Sequence, residues 1–200
     1  MRTRSLARLS SLVLVLTVPA AAAAQARFDA GVHASFVSSG EFDTTTPGVG
    51  GRVAWYPSSW LGAEAELTFY PQDFPDGRAF TSSQREGLFG VTVGPRLRLV
   101  RPFVRVRPGF VTLAEAPAPF PCILIFPPPI ACQLAGGATL AALDFGGGLQ
   151  FGSSRAFLRV DVGDRMVRYT GPVIDEQREV RTDAFWGHDS RVAIGVGVGF

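Results

Sequence analysis

The sequence predicts an all-β protein, an eight-stranded antiparallel up-and-down barrel that crosses a membrane. Three observations carry this. Segments of about ten residues alternate between apolar and small or polar side chains, the period of a strand with two unlike faces. The connections between them alternate in length, short then long. The charges of these segments collect on one face, opposite a face of Val, Leu, Ile and Phe.

The first 26 residues read as a processing segment. Arg2, Arg4 and Arg8 precede the apolar run Leu9–Val18, and Ala24-Gln25-Ala26 forms a small-x-small cleavage site. The expected division is a signal peptide over 1–26 and one barrel domain over 27–200. The apolar run is shorter than the roughly 20 residues a membrane helix needs. Three of the 19 basic residues leave with the leader while all 17 acidic residues stay, which gives a mature net charge of −1. The basic character belongs to the precursor, and nucleic-acid binding loses its electrostatic basis. All basic residues are arginine, a side chain suited to bidentate pairing with carboxylates.

The elements follow in order. Phe28–Val37 places Phe28, Ala30, Val32, Ala34 and Phe36 against Asp29, Gly31, His33 and Ser35. After the loop 38–47, Val49–Tyr56 sets Val49, Gly51, Val53 and Trp55 against Gly50, Arg52 and Ala54. The turn 57–60 leads into Leu61–Tyr70, where Glu64 and Glu66 share a face. A longer loop, 71–86, precedes Phe89–Leu99, with Arg96 and Arg98 on its polar face. Arg101-Pro102 turns into Phe103–Leu113, with Arg105 and Arg107 opposite Val104, Val106 and Phe110. Pro95 and Pro108 each remove a ladder donor, so bulges or fraying are expected there.

The longest connection, 114–138, is apolar and proline-rich. Leu140–Phe151 follows, with Asp144 opposite Leu143 and Phe145, and the turn 152–155 leads into Ala156–Val167, carrying Arg159 and Asp161. After the loop 168–189, Ser190–Phe200 ends the segment pattern with Arg191 on the small face and Phe200 last. Aromatics fall near both strand ends: Phe28, Trp55, Trp60, Phe103, Phe151, Phe157 and Phe200 at one, Phe36, Phe69, Phe110 and Tyr169 at the other. Such girdles mark the two headgroup layers.

Cost decides which face meets lipid. An Arg at mid-membrane on the lipid face costs about 2–4 kcal/mol. The expected lumen set is therefore Asp29, Arg52, Glu64, Glu66, Arg96, Arg98, Arg105, Arg107, Asp144, Arg159, Asp161 and Arg191. A lumen of eight strands is just filled by side chains, so these charges should pair into a plug and leave no wide pore. The same inside-out distribution argues against a secreted lipocalin-like barrel, whose interior would be apolar.

Three smaller features carry candidate chemistry. Cys122 and Cys132 in an exported chain are expected to form a disulfide, and two thiols with no nearby His make a metal site improbable. No cofactor is expected: the runs at 48–51 and 146–148 lack the helix and Lys-Ser/Thr ending of a phosphate loop. Ile123, Leu124, Ile125, Phe126 and Ile130 in the apolar loop form a candidate ligand or partner surface, or fold over the mouth and bury one another. His33-Ala34-Ser35 resembles the His-x-Ser motif of outer-membrane lipid A deacylases. Its parity points inward, away from lipid, which favours packing over hydrolysis.

Taken together, the segments and the terminal Phe200 resemble the small eight-stranded outer-membrane β-barrel proteins, the group that includes outer-membrane proteins A and X. The resemblance implies a monomeric integral protein of a Gram-negative-type outer membrane, with outer-membrane lipid as its surroundings. It implies a structural, surface-interaction or adhesion role and no enzymatic activity. It also makes Phe200 part of the signal read by the barrel-assembly machinery during insertion. The alternatives are a barrel that binds or passes a small apolar ligand through its proline-rich third outer loop, and, more distantly, a lipid A-modifying hydrolase.

Overall fold

The computed structural model describes residues 27–71, 83–116, 122, 124–153 and 155–200. The expected leader and Ile123 lie outside them. Eight strands close a barrel in the order β1 (Arg27–Ser39), β10 (Phe185–Gly199), β7 (Ala156–Tyr169), β6 (Ala138–Gly152), β5 (Val100–Leu113), β4 (Gln84–Val93), β3 (Leu61–Tyr70) and β2 (Thr44–Tyr56). All neighbours are antiparallel. Closure leaves no open sheet edge, the condition for β structure in hydrocarbon. At the seam Phe28 and Phe200 exchange two backbone hydrogen bonds of 2.9 Å and stack their rings at 6.1 Å.

Side chains alternate as the period-two pattern dictates. Val32, Val53, Leu67, Val91, Val104, Leu149, Val162 and Val196 stand exposed on the outside, and the inside holds the charges. No helix among the described residues is long and apolar enough to cross a membrane; the apolar band belongs to strands.

Four expectations are corrected. The fourth strand begins at Gln84 and ends at Val93, because Pro95 cannot donate to the ladder. Arg96 and Arg98 therefore lie in the β4–β5 turn and are exposed, outside the lumen set. The first outer connection shrinks to Gly40–Asp43, since both flanking strands run on. Phe103, Phe157 and Tyr169 are each only 5% exposed and point inward, not into the lipid girdles.

Pro108 stays within β5, but the β4–β5 ladder is interrupted where Phe89 and Gly90 pass Arg107 and Pro108. This is the local break that a missing donor produces. Strands β6, β7 and β10 run 14 or 15 residues, and the outer ends of β7 and β10 carry outward Asp164, Arg168 and His188 in place of Val and Leu. These ends rise past the apolar band. His188 Nδ1 and Asp164 Oδ2 meet there at 2.7 Å, both largely exposed.

The two longest outer connections acquire structure of their own. The third contains α1 (Ile130–Ala135), and the last contains the hairpin β8 (Val173–Ile174) and β9 (Val180–Arg181). Gly137, at φ +77°, ends the helical turn in the left-handed region that glycine adopts without strain.

Candidate functional site: a charged lumen under an apolar cap

The lumen fills from the strand register upward. Arg107 on β5 lies opposite Asp144 on β6, and its guanidinium reaches Asp144 Oδ1 at 2.9 and 3.1 Å. The same guanidinium crosses the barrel to β3, donating to Glu66 at 2.8 Å and to Glu64 at 3.3 Å. Arg159 donates to Glu64 at 3.0 Å and to Asp161 at 2.8 Å. Arg105 joins Asp144, at 2.9 Å, to Asp161. Arg191 pairs with Glu66 and donates to Ser35 Oγ at 3.1 Å. Arg52 stands at the margin, 4.0 Å from Asp161.

Arg107, Arg159, Arg191 and Asp144 are at most 1% exposed. An isolated ion in such a place would cost several kcal/mol, so the arrangement persists only because each charge meets an opposite one. Ring faces complete it: the Arg159 guanidinium lies 3.9 Å from the centre of the Phe103 ring.

A second tier lies nearer the outside. Arg165 donates to Glu86 at 2.7 Å and to Asp189 at 2.6 Å, and Tyr70 Oη approaches Glu86 at 3.5 Å and Ser35 Oγ at 3.4 Å. Sequence reasoning assigned Glu86 and Asp189 to loops and passed over Arg165. Parity could have found Arg165, two residues beyond Gly163 on the inward face. At the end of the barrel that holds Arg27 and Phe200, Asp29 accepts from Arg27 at 2.8 Å and from Gln150 at 3.1 Å.

Small residues leave room for the large ones. A Cβ at Gly197 would run into the Phe157 ring, and one at Gly199 into the Arg27 guanidinium. The inward glycines thus accommodate rings as well as arginines. Among the cavities of the described lumen, the one beside His33, Glu66 and Asp161 has a volume of about 10 Å³, the space of one water.

Above the second tier the interior turns apolar. Ile130 and Leu134 of α1 pack with Leu88, Val111, Leu140, Val167, Tyr169 and Val173. The third outer loop therefore folds over the mouth. Its hold is shared with the last loop: Ile174 N–H donates to Pro128 O at 2.9 Å. The Cys122–Cys132 disulfide, with Cα atoms 5.5 Å apart, ties the cap to the segment before it. Of the candidate surface residues, Ile130 is fully buried, whereas Leu124, Ile125 and Phe126 are 76%, 43% and 87% exposed.

Two loop carboxylates depart from ordinary values. Burial works to raise Asp175, but the Glu179 N–H and the Arg181 guanidinium, 2.7 and 2.8 Å away, outweigh it and hold the carboxyl below the usual range. Burial pushes Glu41 up, although it accepts the Glu176 N–H at 3.2 Å. No group of three or more His, Cys, Asp or Glu residues suited to a metal ion occurs among the described residues.

His33 and Ser35 both face the lumen without a hydrogen bond to each other. His33 Nε2 meets Thr68 Oγ1 at 3.0 Å, and Ser35 is fully buried beside Tyr70 and Arg191.

Comparison with known proteins adds the fold. The barrel is similar to the N-terminal β-barrel domain of Pseudomonas aeruginosa OprF, with a TM-score of 0.52 and 11% identity over 88% of this chain and all of that one. It is similar to Neisserial surface protein A, with a TM-score of 0.53 and 12% identity over 86% of this chain and 97% of that one. It also matches the outer membrane protein OprG of Pseudomonas aeruginosa, with a TM-score of 0.51 and 11% identity over 88% and 96% of the two chains. The chain has the fold of the small eight-stranded outer-membrane barrels. No protein-family model matches the sequence, and no curated protein is similar to it. At such identities the likeness rests on backbone architecture, and the charged lumen and its cap are described from this chain alone.

Proposed function

We propose that the protein is an integral outer-membrane barrel with a closed lumen that serves a structural or surface-interaction role. The observation that carries this reading is the inversion of polarity: Val, Leu, Ile and Phe outside, a paired arginine–carboxylate plug inside. Only a hydrocarbon surrounding makes that distribution favourable. The plug and the cap together block water-filled passage, so the barrel anchors and displays its outer loops and does not conduct.

The displayed element is the tip Leu124-Ile125-Phe126, held up by buried Ile130 below it and by the disulfide beside it. An exposed apolar tip on a fixed base is suited to contact with an apolar surface or partner. Passage of a small apolar ligand gains no support, since the cavity under the cap has a volume of about 40 Å³, room for only a few waters. Hydrolysis gains none either, because Ser35 is sealed within the plug.

The assignment is tested by cell fractionation and by gel mobility before and after heating. The expected result is recovery with outer membranes and a heat-dependent mobility shift; recovery in the soluble periplasm would overturn it. The surface role is tested with Leu124→Ser/Ile125→Ser/Phe126→Ser, which should keep the mobility shift and lose cell adhesion to apolar surfaces.

A further inference from the structure

The periplasmic mouth holds a cluster of arginines, of which Arg96, Arg98 and Arg101 take no part in the lumen plug. A cavity of about 320 Å³ opens there, lined by Arg27, Arg96, Arg98 and Arg101 with Leu97, Leu99 and neighbouring residues of β6 and its turn. No carboxylate is among its described lining residues. Asp29, at the same end of the barrel, is taken by Arg27 and Gln150.

Arg101 is the telling member. It is 6% exposed, yet its Nε and Nη2 have no hydrogen-bond partner. The Tyr56 ring, 3.9 Å below its guanidinium carbon, supports the cation without accepting either N–H. An unpaired buried guanidinium beside three others is costly, and one oxyanion in the cavity would satisfy it. Arginine meets phosphate oxygens with paired N–H groups better than any other side chain does.

The β4–β5 turn also fixes its shape independently of any ligand. Leu97 N–H donates to Val100 O at 3.1 Å, and Gly152 N–H donates to Leu99 O at 2.9 Å, so the turn is pinned to itself and to β6. Arg96 and Arg98 then alternate with Leu97 and Leu99, which are 57% and 63% exposed. Two apolar side chains beside arginines at the membrane edge match the boundary between acyl chain and headgroup.

We propose that this cavity binds a phosphate group, with Arg101 as its buried anchor, Arg96 and Arg98 as its outer clamps, and Leu97 and Leu99 seating the acyl chains when the phosphate belongs to a lipid of the periplasmic leaflet. The lipid source rests on the membrane-barrel reading; the phosphate chemistry does not.

The test uses the full chain refolded in dodecyl maltoside, with heat-dependent gel mobility confirming the barrel for every variant. Dihexanoyl-phosphatidylglycerol and inorganic phosphate are titrated separately while backbone amide shifts are followed by nuclear magnetic resonance. The expected result is saturable shifts centred on residues 94–101, with Kd raised at least tenfold in Arg96→Gln/Arg98→Gln and in Arg101→Gln. Tenfold tighter binding of the lipid identifies a lipid site, and equal binding identifies a site for soluble phosphate; both uphold the phosphate assignment. Absence of saturable shifts with both probes, or an unchanged Kd in the exposed double variant, would overturn it. A chain that shows no heat-dependent mobility would instead count against the barrel reading.

Discussion

Arg107 and Asp144 face each other across the β5–β6 ladder, and the Arg107 guanidinium also joins that ladder to Glu66 on the opposite wall. One guanidinium therefore crosslinks three strands through the centre of the barrel. Arg107→Met removes the cation and leaves Glu64, Glu66 and Asp144 short of partners. A loss of about 3–5 kcal/mol is expected, the cost of breaking a buried ion pair from one side. Urea unfolding in lipid vesicles, followed by tryptophan fluorescence, measures it.

The cap should fail locally and leave the barrel intact. Ile130 is fully buried beneath the third outer loop. Ile130→Ala should cost about 2–5 kcal/mol of cap stability. Faster amide exchange confined to residues 130–135 and 173–181, with the mobility shift kept, is the expected pattern.

The disulfide should act on the same unit. Closing a loop with ten residues of separation contributes about 3 kcal/mol in the chain-entropy model. Cys122→Ser/Cys132→Ser should raise exchange in α1 without altering fractionation or strand protection.

The last loop should respond to acid. Its Asp175 carboxyl is held low by the Glu179 N–H and Arg181 despite burial. The unfolded carboxyl titrates near ~3.9, so a lowered folded value stabilises the β8–β9 hairpin above that pH. This contribution is lost as pH falls through the folded value. The Glu179 amide shift should titrate with a midpoint below ~3.9; a midpoint at or above it would contradict the assignment.

Phe200 should matter during assembly more than afterwards. It is 74% exposed and touches the barrel through the Phe28 ring and two backbone hydrogen bonds, which a substitution leaves available. Phe200→Ser should lower the amount reaching the outer membrane in cells, while the purified variant refolds in detergent with an unchanged mobility shift.

Much of the barrel was legible because a strand that separates lipid from a charged lumen must alternate without exception. Leu61–Tyr70 begins and ends where its pattern does. The fourth strand was misplaced because Arg96, Leu97, Arg98 and Leu99 imitate the same alternation in a turn. The true strand starts among Gln84, Arg85 and Glu86, which look like loop residues until Glu86 is seen inside the lumen with Arg165. The six-residue α1 spans too few turns to show a helical period. Its apolar residues are readable, but which of them the cap buries depends on Val111, Leu140 and Val167 meeting them from distant strands. Arg101 reads as part of a turn in the sequence, but it is the second residue of β5, and only the cavity reveals its chemistry.

Single-channel recording in planar lipid bilayers tests the closed lumen most directly. The Arg107–Glu66–Asp144 plug beneath the α1 cap predicts no sustained opening for the wild-type chain. A large, steady conductance from it would contradict the account.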